Sequence, residues 1–391
     1  MDIKSIIFAT NKANANRDHY RILGKSLIDY CIDSVRHIGI SHIYILEAQE
    51  DGAKEILEFI GSCESVLVLS GDMPLIRDLS IKKALDFHYK SKNDLTLVSD
   101  FSNEPGIYIV SKKLLESMLL KADKGAEVGQ LFLPDNIKGL ANAGHSVDTI
   151  TMENELELMR VGSMRQLAKC TQIIKERINE SHMESGVILE DPTNTYIGPD
   201  VSIGYGSTIE PNCILKGKTK IGKHCFIGHN SNIEDSKVAN RVTIENSVIR
   251  QSIIHEEAYI GPFAYIRPQS EIGRNVRIGD FVEIKNSTIG DNTKVSHLTY
   301  VGDADVGEDV NFGCGSILVN YDGVEKHRSN IEDHAFIGCN TKIVSPVNIG
   351  KRAYTAAGST ITKDIPEESL GIARSRQENK EGWVANKKKQ K

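Results

Sequence analysis

Hydrophobic positions follow two rhythms along the chain. Over residues 1–155, short β-branched runs ("SIIFAT", "HIYILEA", "SVLVLS", "DLTLVSD") alternate with stretches whose apolar residues recur at helical spacing, such as "KSLIDYCIDSVRHIG" and "LSIKKALDFHYKSK". Strand-length runs separated by amphipathic helices predict an α/β unit, a parallel sheet covered by helices. Residues 156–182 keep apolar side chains at helical spacing and contain no proline, which predicts one long helix and sets a linker at 156–183.

From Tyr196 the period becomes six. Ile197, Ile203, Ile209, Leu215, Ile221, Ile227 and Ile233 form one series; Ile260, Ile266, Ile272, Ile278 and Ile284 a second; Ile331, Ile337, Ile343 and Ile349 a third. Neither a helix nor a flat strand repeats at six. A three-sided coil does: each face takes six residues, and the stacked aliphatic side chains fill the prism. Glycine follows many of these positions, where a corner asks for positive φ. The pattern predicts a parallel β-helix over about 196–365, inside a unit of 184–374 with a tail at 375–391. About 18 residues per coil and roughly 4.8 Å per step give a prism about 40–45 Å long.

A solenoid's interruptions become loops on one face. After Leu318 the chain reads "VNYDGVEKHRSN", and the sixes resume at Ile331. "NYDG" is turn chemistry, so a loop carrying Asn320, Tyr321 and Lys326 is expected to leave the prism. Around it in sequence lie Arg267, Lys285, His297, Tyr300 and Asn311. Two or three cations suit a phosphate. A histidine, with an ordinary pKa of about 6.5, suits a general base. Taken singly, each also reads as an ordinary solenoid residue: a solvated lysine, a structural histidine, a corner asparagine.

Composition narrows the class. The chain has 391 residues, 40% hydrophobic and 26% charged, with a net charge of -6. The acidic balance argues against a nucleic-acid partner. Seven scattered cysteines without a CxxC pair indicate neither a zinc knuckle nor a disulfide framework. No apolar run approaches the roughly 20 residues of a membrane helix, and no signal-peptide pattern opens the chain, so a cytoplasmic protein with no membrane insertion is expected. His224 and His229 invite a zinc reading, but a third histidine two coils earlier is missing, since position 188 is isoleucine.

The segments "IGPFAYIRP", "VEIKNSTIG", "SHLTYVGDADVG", "VNFGCGSILVNYDG", "AAGSTIT" and "KEGWV" together resemble the bacterial bifunctional N-acetylglucosamine-1-phosphate uridyltransferase/glucosamine-1-phosphate N-acetyltransferase family. The resemblance covers about 184–385. It implies a left-handed β-helix, a homotrimer, and acetyl-CoA bound between subunits and attacked by the amine of glucosamine 1-phosphate. It implies His297 as the base and Arg267, Lys285, Lys326, Tyr300 and Asn311 as sugar-phosphate ligands. It further implies Cys314, Asn320, Tyr321, Cys339, Ala357 and Arg374 as acetyl-CoA contacts. Two positions depart from the family pattern: Cys339 stands where serine is common, and Cys314 where alanine is.

In the family the first half is a Rossmann-like nucleotidyltransferase whose glycine-rich loop grips the nucleotide phosphates. Here "SIIFAT" is followed by "NKANANRDHYRILGKSL", with no glycine before Gly24. "EAQEDGA" stands for the uracil-contacting segment, and "NEPGIYIV" for a sugar-contacting strand without its usual "NTG". "SGDMPL" is kept, so Asp72 resembles the family's magnesium aspartate, and Asn154 in "TMENELEL" the second ligand of a vestigial Mg2+ site. The half is also shorter than the family pattern. The expectation is an acetyltransferase whose nucleotidyltransferase-like half has lost or impaired uridylyl transfer. An enzyme keeping both activities, and a non-catalytic trimeric β-helix scaffold, are the alternatives.

Overall fold

The computed structural model of the chain describes residues 2–9, 20–47, 52–99, 105–121 and 128–388. The chain divides into two compact units, Met1–Arg177 and Ile178–Lys391. Among the described residues no helix is long and apolar enough to cross a membrane.

The first unit is built on six strands: β1 (Ile3–Phe8), β2 (Ile43–Leu46), β3 (Ser65–Ser70), β4 (Leu95–Ser99), β5 (Pro105–Ser111) and β6 (Val147–Thr151). Their order is β2-β1-β3-β5-β4-β6. Successive strand residues face opposite sides of a sheet, and both sides are apolar here. Ile6, Val66 and Val68 pack with Ile56, Ile60 and Leu115 on one side. Ile7, Leu67 and Leu69 pack with Cys31, Val35 and Ile81 on the other. Helices therefore cover both faces, as the unbroken runs require. The sheet is mixed rather than wholly parallel: β5 runs antiparallel to β3 and β4. Only five residues separate β4 from β5, too few for a crossover, so the two strands fold back on each other.

The expected helix over 156–182 begins later. Asn154 caps a 3-10 turn over Glu155–Leu158, and the α-helix spans Met164–Glu184. Ser163 stops it from starting earlier, its Oγ accepting the Gln166 N–H at 3.3 Å as a cap.

The second unit is the prism. Three sheets hold ten, nine and eleven parallel strands, each two to four residues long. The aliphatic series fills the core, with Ile197, Ile227, Ile260, Ile284, Ile337 and Ile349 each 0% exposed and Ile203, near the first coil, only partly buried. Coil length varies where the sixes slip: Ile214 pairs with Asn232, eighteen on, and Asn232 with Val248, sixteen on. The gap between Ile284 and Ile331 is therefore mostly not an interruption. Ile289, Val295, Val301, Val306, Phe312 and Leu318 continue the core through shorter corners. Only the coil from Ile317 to Lys342 is enlarged, to twenty-five residues, and it carries the expected loop.

Buried serines and threonines hold the corners together. Thr299 Oγ1 donates to the His297 carbonyl at 2.7 Å. Ser287 Oγ donates to the Lys285 carbonyl at 2.8 Å and accepts from Ala304 N–H on the next coil at 3.0 Å. These bonds satisfy backbone groups that short corners leave unpaired. Corner residues with positive φ are not all small: Phe263 (62°), Phe281 (55°) and Leu298 (48°) occupy successive coils. Bulky side chains are uncommon there.

Candidate active site

Coil register sorts the chosen residues into two groups on either side of one prism edge. On one side is a single file. Asp280 pairs with His297. The ladder Lys294↔Asn311 and Val295↔Phe312 then sets His297 beside Cys314. The next two ladders set Cys314 beside Cys339 and Cys339 beside Ala357. Backbone bonds follow the same order: Asn340 N–H to Cys314 O at 2.7 Å and Gly358 N–H to Cys339 O at 2.8 Å. His297 and three of the residues expected at acetyl-CoA thus form one continuous, solvent-facing track. Arg374 lies beyond the last strand, its side chain against Gly358.

His297 is exposed and fixed at one ring nitrogen. Its Nδ1 meets Asp280 Oδ1 at 2.5 Å. The bond to His297, ahead of the local backbone N–H, holds the Asp280 carboxyl below the usual carboxylate range. With Nδ1 engaged, Nε2 is the nitrogen free to take a proton.

Across the edge stand the cations. Arg267 and Lys285 are neighbours on successive coils, with Arg267 N–H bonded to Ile284 O at 2.8 Å. Arg267 Nη1 reaches Glu283 Oε1 at 2.7 Å, and that bond raises its pKa further. Lys285 Nζ lies 3.1 Å from Asp303 Oδ2, with both side chains mostly buried. Asn286 Nδ2 donates to Asp303 Oδ1 at 2.5 Å, and Asn320 Nδ2 donates to Oδ2. Burial opposes the Asp303 charge, but these three donors outweigh it and depress its pKa. Burial likewise opposes the Lys285 charge, and the contacts with the Lys326 amine and the Asp303 carboxylate together more than restore it. Lys326 is held below the ordinary lysine range by the Lys285 ammonium beside it. Two adjacent ammonium groups with a guanidinium nearby make a place for an anion.

Not every expected residue joins its group. Asn320, expected at acetyl-CoA, is buried, and its amide is spent on Asp303 and, at 3.4 Å, on Tyr300 Oη. It stabilises the cation side instead. Asn311, expected at the sugar phosphate, sits in the outer file between Lys294 and Phe336, on the His297 side of the edge. Tyr300 does stand with the cations, one coil above Glu283. Tyr321 is exposed in the loop, its Oη donating to Gly323 O at 2.7 Å, and it bridges to Lys326. Sequence reading missed Asp280, Glu283 and Asp303. Each lies seventeen or eighteen residues from a chosen residue, so one coil length was the signal.

Magnesium does not fit the residues expected to hold it. Asp72 is 2% exposed, and both its carboxylate oxygens accept from Arg160: Nε to Oδ1 at 3.0 Å and Nη2 to Oδ2 at 3.1 Å. Ser70 Oγ donates to the same carboxylate at 2.7 Å. The Asn154 carboxamide oxygen accepts the Leu156 N–H. Among the described residues no three His, Cys, Asp or Glu side chains are grouped to hold a metal. Mg2+ asks for near-octahedral oxygen ligands, and a guanidinium already fills the carboxylate's coordination space. The nucleotide-loop residues 10–19, and parts of "EAQEDGA" and "NEPGIYIV", lie outside the described residues.

Comparison with known proteins agrees with the prism. A family model described as hexapeptide repeat of succinyl-transferase matches residues 218–248 and 330–363. One described as GMPPB C-terminal domain matches 248–321. The chain is 41% identical to the bifunctional protein GlmU of Clostridium beijerinckii over a gapped alignment of 428 positions that covers 94% of each chain. It is 35% identical to that of Alkaliphilus metalliredigens over 99% of each. To that of Clostridium acetobutylicum it is 45% identical over 82% of this chain and 78% of the relative.

Proposed function

The chain belongs to the family of bifunctional GlmU proteins, and from that premise we propose that its prism acetylates glucosamine 1-phosphate at the expense of acetyl-CoA. The product is N-acetylglucosamine 1-phosphate, a precursor of UDP-N-acetylglucosamine. The single observation that carries the reading is the file Asp280–His297–Cys314–Cys339–Ala357, in which an aspartate-held imidazole stands at the foot of an exposed track, across one prism edge from a cluster of cations.

The chemistry follows from the groups in place. The sugar phosphate is held by Arg267, Lys285 and Lys326, with Tyr300 beside them. Its amine attacks the thioester carbonyl of acetyl-CoA lying along the file. His297 Nε2 takes the amine proton as the C–N bond forms, and Asp280 stabilises the resulting imidazolium. The tetrahedral adduct collapses and the coenzyme leaves as its thiolate, which takes up a proton. Glu283 and Asp303 contribute by fixing their cations before substrate arrives, so less ordering remains to be done on binding.

Base and cations lie on two sides of one edge, and the edge is apolar. Phe263, Phe281 and Leu298 are exposed along it, the two phenylalanine rings stacked at 5.3 Å. A homotrimer, with a second copy forming the facing wall of the site, is part of the proposal; sedimentation equilibrium tests it. A cytoplasmic location is also part of it, in keeping with seven free thiols. In the first unit the Arg160–Asp72 pair supports the absence of uridylyl transfer.

Two assays on one preparation test the function: CoA release dependent on glucosamine 1-phosphate, and pyrophosphate release from UTP with N-acetylglucosamine 1-phosphate. The expected result is turnover in the first only. CoA release indifferent to the amino sugar refutes the substrate assignment. Wild-type acetyl transfer surviving in His297→Ala refutes the base.

A further inference from the structure

We propose that Cys314 and Cys339 are a modification site: oxidation joins them in a reversible disulfide that closes the acetyl-CoA track. The register Phe312↔Ile337 brings the two cysteines directly opposite, two residues on, across adjacent coils. Adjacent strands lie about 4.8 Å apart, inside the window of roughly 4.4–6.8 Å between Cα atoms that a disulfide spans. Coil contact is tight at this point, since a Cβ added at Gly313 would lie 2.5 Å from Cys339 N. Both cysteines stand just before a left-handed corner residue, Gly315 (φ 77°) and Asn340 (φ 55°). Equal corners give equal side-chain directions, so the thiols project to the same side.

Reactivity separates these two from the other five. Cys314 and Cys339 are exposed, whereas Cys31, Cys63, Cys170, Cys213 and Cys225 are buried. Burial pushes the Cys31 thiol up to about 12, Cys170 and Cys213 to about 11, and the remaining two upward as well. The thiolate is the form that reacts, so oxidant reaches the stacked pair first. With hydrogen peroxide as oxidant, one thiolate attacks an oxygen and displaces hydroxide, leaving a sulfenic acid. The neighbouring thiol attacks that sulfur and water departs; two thiols and one peroxide give one disulfide and two waters. Parallel stacked Cβ atoms sit wider than the mean of about 3.8 Å in disulfides, and such strain makes the bond easy to reduce.

The consequence rests on the proposed function, because Cys314 is the next residue above His297 in the file. Tying the sulfurs together removes room and polar partners where the thioester is to lie.

The test uses the full chain, reduced and freed of reductant, then exposed to hydrogen peroxide and digested with trypsin. Cleavage after Lys294, Lys326, Arg328 and Lys342 places the two cysteines in separate peptides, 295–326 and 329–342. The expected product joins these peptides, two hydrogens lighter than their sum, within a single chain on a non-reducing gel. Acetyl transfer falls at least tenfold in step with the link and returns with dithiothreitol. Cys314→Ala and Cys339→Ser each keep their own untreated rate after the same exposure. Oxygen addition to both cysteines without a link, a link between chains, or a linked enzyme at full rate overturns the proposal. A reduced enzyme that never transfers acetyl groups defeats the proposed function instead, and the peptide map still judges the disulfide.

Discussion

Replacing Asp303 by alanine removes the acceptor shared by Lys285, Asn286 and Asn320. Asn320 is 7% exposed, so its amide loses a partner that water replaces poorly, at a cost of about 1–3 kcal/mol. The Lys285 side chain is 16% exposed. Stripping a partner from a buried pair costs about 3–5 kcal/mol, and the remaining access to water reduces that to its lower part. Since the two losses overlap, about 3 kcal/mol is expected. For a unit of this size that lowers the melting temperature by about 6–12 °C. Lys285 is then no longer held toward Lys326, so KM for glucosamine 1-phosphate rises more than kcat falls. The pH dependence has a defined sign. The folded-state pKa of Asp303 is depressed, so its contribution is complete above the unfolded value of about 3.9 and is lost as pH falls through the folded one. The assay is thermal unfolding of wild type, Asp303→Ala and Asp303→Asn from pH 7 down to pH 3, with initial rates at pH 7. A melting temperature within 1 °C of wild type, together with an unchanged KM, refutes the reasoning.

Asp280→Asn removes the charge facing the imidazolium but keeps an acceptor; kcat is expected to fall about tenfold to a hundredfold with little change in either KM, and equal losses in kcat and stability would point to a structural role instead. Lys326→Ala raises KM for the sugar phosphate about tenfold and leaves KM for acetyl-CoA unchanged, as read from paired titrations. Arg160→Ala exposes the Asp72 carboxylate, lowers the melting temperature of the first unit by about 3–6 °C, and lets millimolar Mg2+ restore part of it; wild type gains nothing from Mg2+, and stabilisation of wild type by the metal would contradict the pairing.

Much of the architecture was legible along the chain. A period of six admits few solutions, because only a three-sided coil returns an aliphatic residue to the core at that interval. His297, Tyr300, Arg267, Lys285 and Lys326 were singled out from motif order, and the first four fall on the two flanks of one edge. The antiparallel strand Pro105–Ser111 followed from a connection too short to cross over, although strand-length patterning by itself suggested a parallel sheet. What the sequence could not supply was the partner of each group. Asp280, Glu283 and Asp303 look like ordinary solvated carboxylates until the coil length says which residue stands next to them. The same holds for Cys314 beside Cys339, and for Arg160 on Asp72, separated by eighty-eight residues. Periodicity is a local property set by side-chain burial and survives in one dimension. Pairing across coils and strands depends on how many residues each coil consumes, sixteen, seventeen or eighteen in most and twenty-five in one, and that number emerges only when the backbone closes on itself.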